Sequence, residues 1–190
     1  MRFILTRHGE TVENQKKILQ GHIPGKLSPE GIRQAKKLAL RLKDEKFDCA
    51  YSSDLARAAD TAKIIMKYHK KIPLLLVKDL REFDLKKWTG KPWTKNGEEW
   101  ARSRKESESP VSVRKRVKRI LEKAYACHPK GCVLMVSHSG SNKVLISLIM
   151  GSREDTVLPV EQKNTAINIF EIKEDEKHKV YLINCTKHLD

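Results

Sequence analysis

The sequence lacks the apolar segments that membrane and secreted proteins need. No run among its 190 residues approaches the roughly 20 apolar residues that cross a bilayer. The first apolar stretch, residues 3–5, meets charged residues at once and is too short for the core of a secretory signal peptide. We therefore expect a cytoplasmic protein with no membrane partner.

Cysteine is scarce as well. Four cysteines occur, at Cys49, Cys127, Cys132 and Cys185, and they are too few and too scattered for a disulfide framework. Cys127 and Cys132 enclose the segment CHPKGC, but neither a CxxC pair nor a spaced pair of histidines accompanies them, so a zinc site is not expected. We expect reduced cysteines, no metal and no other cofactor.

Acidic residues are outnumbered by basic ones. The sequence holds 39 Lys and Arg against 24 Asp and Glu, a formal net charge of +15 at pH 7. This balance favours an anionic partner, namely a phosphorylated metabolite, a nucleic acid or a membrane surface. With 39% hydrophobic and 33% charged residues, the chain is polar for a globular protein but too apolar for a disordered one. Its length predicts one domain, residues 1–190.

The spacing of apolar residues predicts alternating strands and helices. Short apolar runs predict strands at residues 2–7, 49–52, 74–77 and 132–137. Apolar positions three and four residues apart predict helices at residues 29–43, from about 54 onward, at 110–127 and at 138–150. Residues 165–172 and 179–185 alternate apolar and polar side chains and predict a hairpin at the sheet edge. This order predicts an α/β fold, a three-layer α/β/α sandwich whose mostly parallel sheet has an antiparallel edge strand.

Two helix starts carry recognisable signals. Ser28 suits the cap, and Pro29 the first position, of the helix at residues 29–43. Ser53 or Asp54 is predicted to cap the next helix. The apolar face of the helix at residues 29–43 is predicted to comprise Ile32, Ala35, Ala39 and Leu42.

The segment from residue 78 to 110 has little regular periodicity. It contains all three tryptophans, together with two glycines and two prolines. Long irregular segments inside a domain are often functional loops. We therefore expect an active-site loop and a small lid at about residues 83–110.

Unusual polar residues follow four of the predicted strands. Arg7 and His8 follow the first strand, and Arg57 comes soon after the second. Glu82 follows the third strand, and His138 directly follows the fourth. In open α/β sheets, ligands bind beyond the carboxyl ends of the strands, so these side chains should meet there. Two guanidinium groups can grip a tetrahedral phosphate through charge-assisted hydrogen bonds, and a helix N-terminus adds N–H donors.

The residue types in this set suggest phosphoryl transfer. A neutral imidazole at His8 can attack phosphorus if nearby cations neutralise the phosphate. Such a covalent route needs no metal ion. Glu82 is the acidic residue placed to donate a proton to the leaving oxygen.

The motifs around these residues resemble a known family. In chain order they are LTRHGET, Asn14, Gln20-Gly21, LSPEGIRQA, YSSDLARAADTA, LREFDLKKWTGK, VLMVSHSG and TAINIFEI. Together they resemble the histidine phosphatase superfamily in its phosphoglycerate mutase-like branch, and most of all its short phosphatase members.

The resemblance implies a role for each matched residue. His8 matches the phosphoryl-accepting nucleophile, and Glu82 matches the general acid. Arg7, Arg57 and His138 match the lining of the phosphate pocket. The substrate-binding positions implied are Asn14 with its side-chain donor, Gln20, Gly21, and Ser139 with its backbone N–H.

Two departures from the family bear on the reaction. Pro24 stands where relatives often have an acidic residue, on the substrate side of the site. The segment between Glu82 and Val111 is short, whereas the mutases carry a large insertion there. A short segment lets water reach the phosphohistidine, which favours a phosphatase over a mutase.

The sequence therefore predicts a metal-independent phosphatase that hydrolyses phosphomonoesters of small metabolites through a phosphohistidine at His8. The alternatives are a phosphoglycerate mutase and, in another class, a non-catalytic phospho-ligand or nucleic-acid binding module. The basic run RKRVKR at residues 114–119 is interpreted as a solvated helix face rather than a specific nucleic-acid site. Arg81 is interpreted as structural, pairing with Glu82 or the lid, and His22 as an exposed loop residue. The expected partner is a small phosphorylated substrate, and an oligomer is compatible with the sequence.

Overall fold

The sheet has six strands in the order β3-β2-β4-β1-β5-β6. A computed structural model describes residues 1–93 and 105–190. The strands are β1 Arg2–Arg7, β2 Cys49–Ser53, β3 Leu74–Val77, β4 Cys132–Ser137, β5 Ile167–Glu171 and β6 Lys179–Cys185. Strands β1 to β4 pair in parallel, β5 pairs antiparallel with β1, and β6 pairs antiparallel with β5. The predicted mostly parallel sheet with an antiparallel edge is thereby confirmed.

Helices pack on both faces of this sheet. They are α1 Val12–Gln15, α2 Pro29–Leu42, α3 Ala56–Met66, α4 Pro110–Cys127 and α5 Ser139–Ile149. Three short 3-10 helices span Lys78–Leu80, Lys86–Trp88 and Lys187–Leu189. Among these described elements, no helix is both long enough and apolar enough to cross a membrane.

Successive side chains of the central strands enter two separate cores, because side chains alternate across a strand. Phe3 and Leu5 of β1 lie in the core that α4 and α5 cover. Ile4, between them, lies in the core that α2 and α3 cover. Central strands buried on both faces are apolar throughout, which is why the sequence shows them as continuous apolar runs.

The buried face of α2 differs from the predicted face by one position. Ile32 is 39% exposed, whereas Gly31 and Leu38 are buried. Compared with the prediction, α2 is turned about its axis so that Gly31 rather than Ile32 faces inward. Its first turn packs directly on the backbone that follows β1. A side chain at Gly31 would collide with the Glu10 carbonyl oxygen, and a Cβ at Gly9 would lie 2.5 Å from the Gly31 carbonyl oxygen. This close approach fixes the loop that carries His8.

The start of α2 is as predicted, but the start of α3 is not. Ser28 caps α2 by accepting a hydrogen bond from the Gly31 N–H at 3.0 Å. In α3 the capping position is Leu55, and no side chain caps it. Ser53 is still part of β2, and its hydroxyl accepts from the Leu55 N–H, while Asp54 is bound by Arg81. The predicted caps Ser53 and Asp54 are therefore wrong, because both side chains have other partners.

The predicted lid at about residues 83–110 lies partly outside the described residues, since these exclude 94–104 and with them Trp100. Its first part pairs with the loop after β1. The Gly90 N–H donates to the Leu19 carbonyl at 2.8 Å, and the Trp93 N–H donates to the Lys17 carbonyl at 2.6 Å. The extent of the lid, and the single domain over residues 1–190, stay predictions.

Candidate active site

Four segments bring polar side chains to one end of the parallel strands. His8 directly follows β1, and His138 directly follows β4. Arg57 lies in the first turn of α3, after β2, and Glu82 lies shortly beyond the 3-10 helix that follows β3. Because β1 to β4 run in parallel, their carboxyl ends share one edge of the sheet, where the residues expected from the sequence are brought together.

The His8 ring is held in one orientation. It is 3% exposed, and its Nδ1 lies 2.7 Å from the Gly9 carbonyl oxygen. A carbonyl oxygen only accepts, so Nδ1 carries the proton and donates it. In the neutral ring, Nε2 is then left with its lone pair. Burial and the charges of Arg57 and Arg7 hold the pKa of His8 well below its usual 6.5, so the neutral form persists at physiological pH.

The backbone around His8 is fixed from three sides. The His8 N–H donates to the Ser137 carbonyl of β4 at 3.0 Å. The His8 carbonyl accepts from the Asn164 side-chain amide at 3.0 Å. The Gly9 N–H donates to the Thr61 hydroxyl of α3 at 3.1 Å. The ring position is therefore determined by the sheet, by α3 and by the loop before β5.

His138 lies beside His8. The two ring centroids are 5.2 Å apart, with the planes tilted by 58°. His138 is fully buried, and neither of its ring nitrogens has a hydrogen-bond partner within residues 1–93 and 105–190. Burial, then the charges of Arg57, His8 and Arg7, hold the pKa of His138 well below 6.5. A neutral, unpartnered imidazole next to His8 can donate to, or accept from, a bound group.

Two buried guanidinium groups supply positive charge. Arg57 is 1% exposed, and its Nη1 and Nη2 donate to the carbonyls of Ile23 at 2.5 Å and Gly21 at 2.9 Å. Arg7 donates through Nη1 to the Gln162 carbonyl at 2.8 Å. Burial lowers the pKa of Arg57 to about 10 and also lowers that of Arg7, yet both stay charged at neutral pH.

Each arginine also has one N–H donor, at Nε, without an acceptor among the described residues. The Nε atoms of Arg7 and Arg57 are buried, and neither finds an acceptor in the described part of the chain. Their positive charges are also uncompensated by any direct ion pair among the described residues. Buried donors and charges of this kind are costly unless paired, so the arrangement suits an oxyanion lying between them.

Glu82 sits on the N-terminus of α5. Its Oε1 accepts from the N–H groups of Phe83 at 3.0 Å and Ser141 at 3.1 Å, and its Oε2 accepts from the Gly140 N–H at 3.0 Å. A Cβ at position 140 would meet this carboxylate and the Phe83 ring, so any larger residue there would displace the Glu82 side chain. The charge of Glu82 opposes the fall in pKa that burial imposes on Arg7 and Arg57, which places the carboxylate in the same cluster.

Of the predicted substrate-binding residues, Asn14 and Ser139 have an N–H donor left for a ligand. Asn14 accepts from the Thr11 N–H through its Oδ1 at 3.1 Å, which leaves its amide NH₂ for another partner. Ser139 is the first residue of α5, where a helix leaves its N–H without an intrahelical acceptor. Gly21, in contrast, has its carbonyl on Arg57, and the buried Gln20 has its Oε1 unpartnered within the described residues.

Two predictions for residues near the site are wrong, and a third is wrong only in its partner. Arg81 makes a structural ion pair, as interpreted, but it pairs with Asp54 through two hydrogen bonds, at 2.7 and 2.6 Å, and not with Glu82. His22 is half-buried, and its Nε2 lies 2.9 Å from the Glu82 carbonyl oxygen. Arg116, assigned to the solvated face of α4, turns inward.

Arg116 is the residue that the sequence interpretation missed. Its side chain is 12% exposed and pairs with Glu108 at 3.0 Å. A signal was available, because Arg116 lies three residues after Val113 and four before Ile120, both on the buried face of α4. The positive charge of Arg116 favours the solvated face, whereas its spacing from these apolar residues indicates the buried face.

The cluster combines a neutral imidazole, two buried cations, a second imidazole and a carboxylate on a helix N-terminus. This set can bind a phosphate, attack it and exchange a proton with an ester oxygen. Among the described residues, no three His, Cys, Asp or Glu side chains are grouped so as to hold a metal ion.

Comparison with known proteins identifies the family of the chain. A sequence profile of the histidine phosphatase superfamily (branch 1) matches residues 3–185. Phosphoglycerate mutase-like protein 4 of Arabidopsis thaliana is 29% identical over 205 positions, which cover 98% of this chain and 86% of the relative. A metal-independent phosphoserine phosphatase of the same plant is 40% identical over 96 residues, which cover 50% of this chain and 40% of that protein. A mutant phosphoserine phosphatase from Entamoeba histolytica, solved in complex with phosphoserine, has a TM-score of 0.84 at 26% identity, covering 99% of this chain and 98% of that one.

Burial of neutral His138 makes stability depend on pH. Because its folded-state pKa lies below 6.5, the unfolded chain binds more protons as the pH falls below that value, and stability is lost. We expect His138→Asn to remove up to about 1.4 kcal/mol of the loss between about pH 7.5 and about pH 5.5. Urea unfolding at both pH values measures it.

Ile146→Val is the control, since it alters a buried residue of α5 without a titratable group. It should lower stability about equally at both pH values. An unchanged pH dependence in His138→Asn would show that the ring takes up a proton as readily in the folded protein as in the unfolded chain.

Proposed function

The chain belongs to the histidine phosphatase superfamily and is a phosphomonoesterase, and we propose that it hydrolyses phosphomonoesters of small metabolites through a phosphohistidine at His8, without a metal ion. The observation that carries this proposal is the buried His8 ring, whose Nδ1 is committed to the Gly9 carbonyl beside two buried cations.

Substrate binding follows from the charges. The phosphate dianion lies between Arg7 and Arg57 and accepts hydrogen bonds from their Nε donors. Its negative charge compensates the two buried positive charges. The amide of Asn14 and the N–H of Ser139 add further donors. His138, whose ring centroid lies 5.2 Å from that of His8, completes the set.

The first chemical step transfers the phosphoryl group to His8. The Nε2 lone pair forms the P–N bond while the bond between phosphorus and the ester oxygen breaks. Glu82, which carries a proton in the substrate complex, gives it to the departing oxygen, so an alcohol leaves rather than an alkoxide. The fixed cations favour this step because they are already in place around the three phosphoryl oxygens, over which the negative charge is spread in the transition state.

The second step returns the enzyme to its starting state. Water attacks phosphorus, the P–N bond breaks, and the electron pair returns to Nε2. Glu82, now ionised, takes the proton of the attacking water, and inorganic phosphate leaves. Both steps use the same atoms in reversed roles.

The positive charges of the site support the proposal that the reaction needs no metal ion. Arg7, Arg57 and the N-terminus of α5 supply the neutralisation that a bound cation provides in metal-dependent phosphatases. The relative described as a metal-independent phosphoserine phosphatase, which matches half of the chain, supports the same interpretation.

The nucleophile can be tested by substitution and labelling. His8→Asn should abolish turnover and also abolish acid-labile incorporation of ³²P from a labelled phosphomonoester, because it removes the Nε2 atom that accepts the phosphoryl group. Wild-type turnover should survive EDTA. His128→Asn, at the end of α4 and remote from the cluster, should behave as wild type.

Turnover by His8→Asn, or its loss from wild type on chelation, would refute the mechanism. Appearance of the label on a second hydroxyl compound, in place of inorganic phosphate, would assign the chain to the mutases.

The role of Glu82 predicts a dependence on the leaving group. An alkyl alcohol needs a proton as it departs, whereas nitrophenolate leaves readily as an anion. Glu82→Gln should therefore lower kcat for alkyl phosphates by about 10²–10⁴-fold and kcat for p-nitrophenyl phosphate much less. Asp79→Asn, which removes a half-buried carboxylate that pairs with the exposed Arg119 on the same segment, is the control. Equal losses on both substrates would make Glu82 a binding residue.

A further inference from the structure

We propose that Arg116 and Glu108 form a clamp that positions Glu82 for proton transfer. The clamp holds the segment from Asp79 to Asp84, so that the carboxylate of Glu82 lies on the N-terminus of α5. The inference rests on the proposed role of Glu82 as proton donor, and it assigns Arg116 as a positioning residue.

Arg116 binds the backbone that carries Glu82. Its Nη1 donates to the carbonyls of Asp79 at 2.8 Å and Arg81 at 2.6 Å. Its Nη2 donates to the carbonyl of Glu82 itself at 3.1 Å. One side chain of α4 therefore fixes the residue before Glu82 and the peptide that follows it.

Glu108 holds the guanidinium in place. Its Oε1 accepts from the Nε of Arg116, and its Oε2 accepts from Nη2, both at 3.0 Å. Oε2 also accepts from the Asp84 N–H at 3.1 Å, and the Glu108 N–H donates to the Asp84 carbonyl at 2.8 Å. The chain is therefore held on both sides of Glu82, through Arg81 and through Asp84.

The burial of this pair indicates a purpose beyond surface charge pairing. The side chains of Arg116 and Glu108 are 12% and 14% exposed. Arg119, one turn later on α4, pairs with Asp79 of the same segment, but its side chain is 66% exposed. An exposed pair contributes little, whereas desolvating two charges is costly and is repaid only by good hydrogen-bond geometry. Arg116 makes five such bonds to Glu108 and the backbone.

The Glu82 peptide is also held from the opposite side. His22 Nε2 lies 2.9 Å from the Glu82 carbonyl oxygen, which Arg116 also binds. The Ser141 hydroxyl donates to the Arg81 carbonyl at 2.5 Å. A shift of this peptide would move the carboxylate relative to the ester oxygen, and a displacement of about 1 Å can cost about 10²-fold in rate.

Arg116→Lys tests the clamp because lysine keeps the charge but cannot bind Glu108 as a fork. We expect kcat for an alkyl phosphate to fall by about 10- to 100-fold with little change in KM, and kcat for p-nitrophenyl phosphate to change much less. Glu108→Gln should show the same pattern more weakly. In a Glu82→Gln background, neither substitution should lower the alkyl phosphate rate further, because the proton donor is already absent.

Arg119→Lys is the matched control, a neighbouring arginine of the same helix whose pairing with the segment is exposed. It should leave both rates within about twofold of wild type. Melting temperatures identify variants that unfold, and Glu108→Gln decides the matter if Arg116→Lys does not fold.

Two failures are distinguishable. Losses that are equal on both substrates, or that add to the loss in Glu82→Gln, would refute the clamp while leaving the proposed function intact. If Glu82→Gln itself shows no dependence on the leaving group, the proposed proton donor fails and the clamp fails with it.

Discussion

The hydrogen bond from His8 Nδ1 to the Gly9 carbonyl decides which atom of the site can react. It fixes the ring, assigns the proton to Nδ1 and leaves Nε2 as the free base. The bond depends on a loop that has no freedom, because Gly9 packs on Gly31 at the start of α2 and its N–H is bound by Thr61 of α3. The helices therefore determine the tautomer of the nucleophile as well as its position.

Burial gives the other groups their chemical character. It lowers the pKa of His8 and His138 so that both rings are neutral, and it leaves Arg7 and Arg57 charged but short of acceptors. Each feature costs folding free energy when the site holds no anion. Under the proposed function, a bound phosphate relieves part of this cost by pairing with the two arginines. The carboxylate of Glu82 is stabilised in turn, because its oxygens accept hydrogen bonds at the N-terminus of α5, the positive end of the helix.

Much of this arrangement could be predicted from the sequence. The parallel strands are buried on both faces and appear as apolar runs, and residues that follow such strands converge, which places His8, Glu82 and His138 together. The spacing of Arg116 from Val113 and Ile120 indicates its inward position, but no local pattern shows the backbone carbonyls it binds, which lie more than thirty positions away in the chain. The caps of α3 were misassigned because β2 extends through Ser53. Tertiary contacts, which no local pattern shows, decide such cases.

The central claim is that Nε2 of His8 is the attacking atom, and the attachment site of the phosphoryl group tests it most directly. Wild-type protein is mixed with a phosphomonoester, denatured in alkali during turnover, and examined by ³¹P NMR together with mapping of the labelled peptide. Because Nδ1 is committed to the Gly9 carbonyl, the account predicts phosphorylation of His8 at Nε2. Phosphorylation at Nδ1 of His8, or on His138, would contradict it.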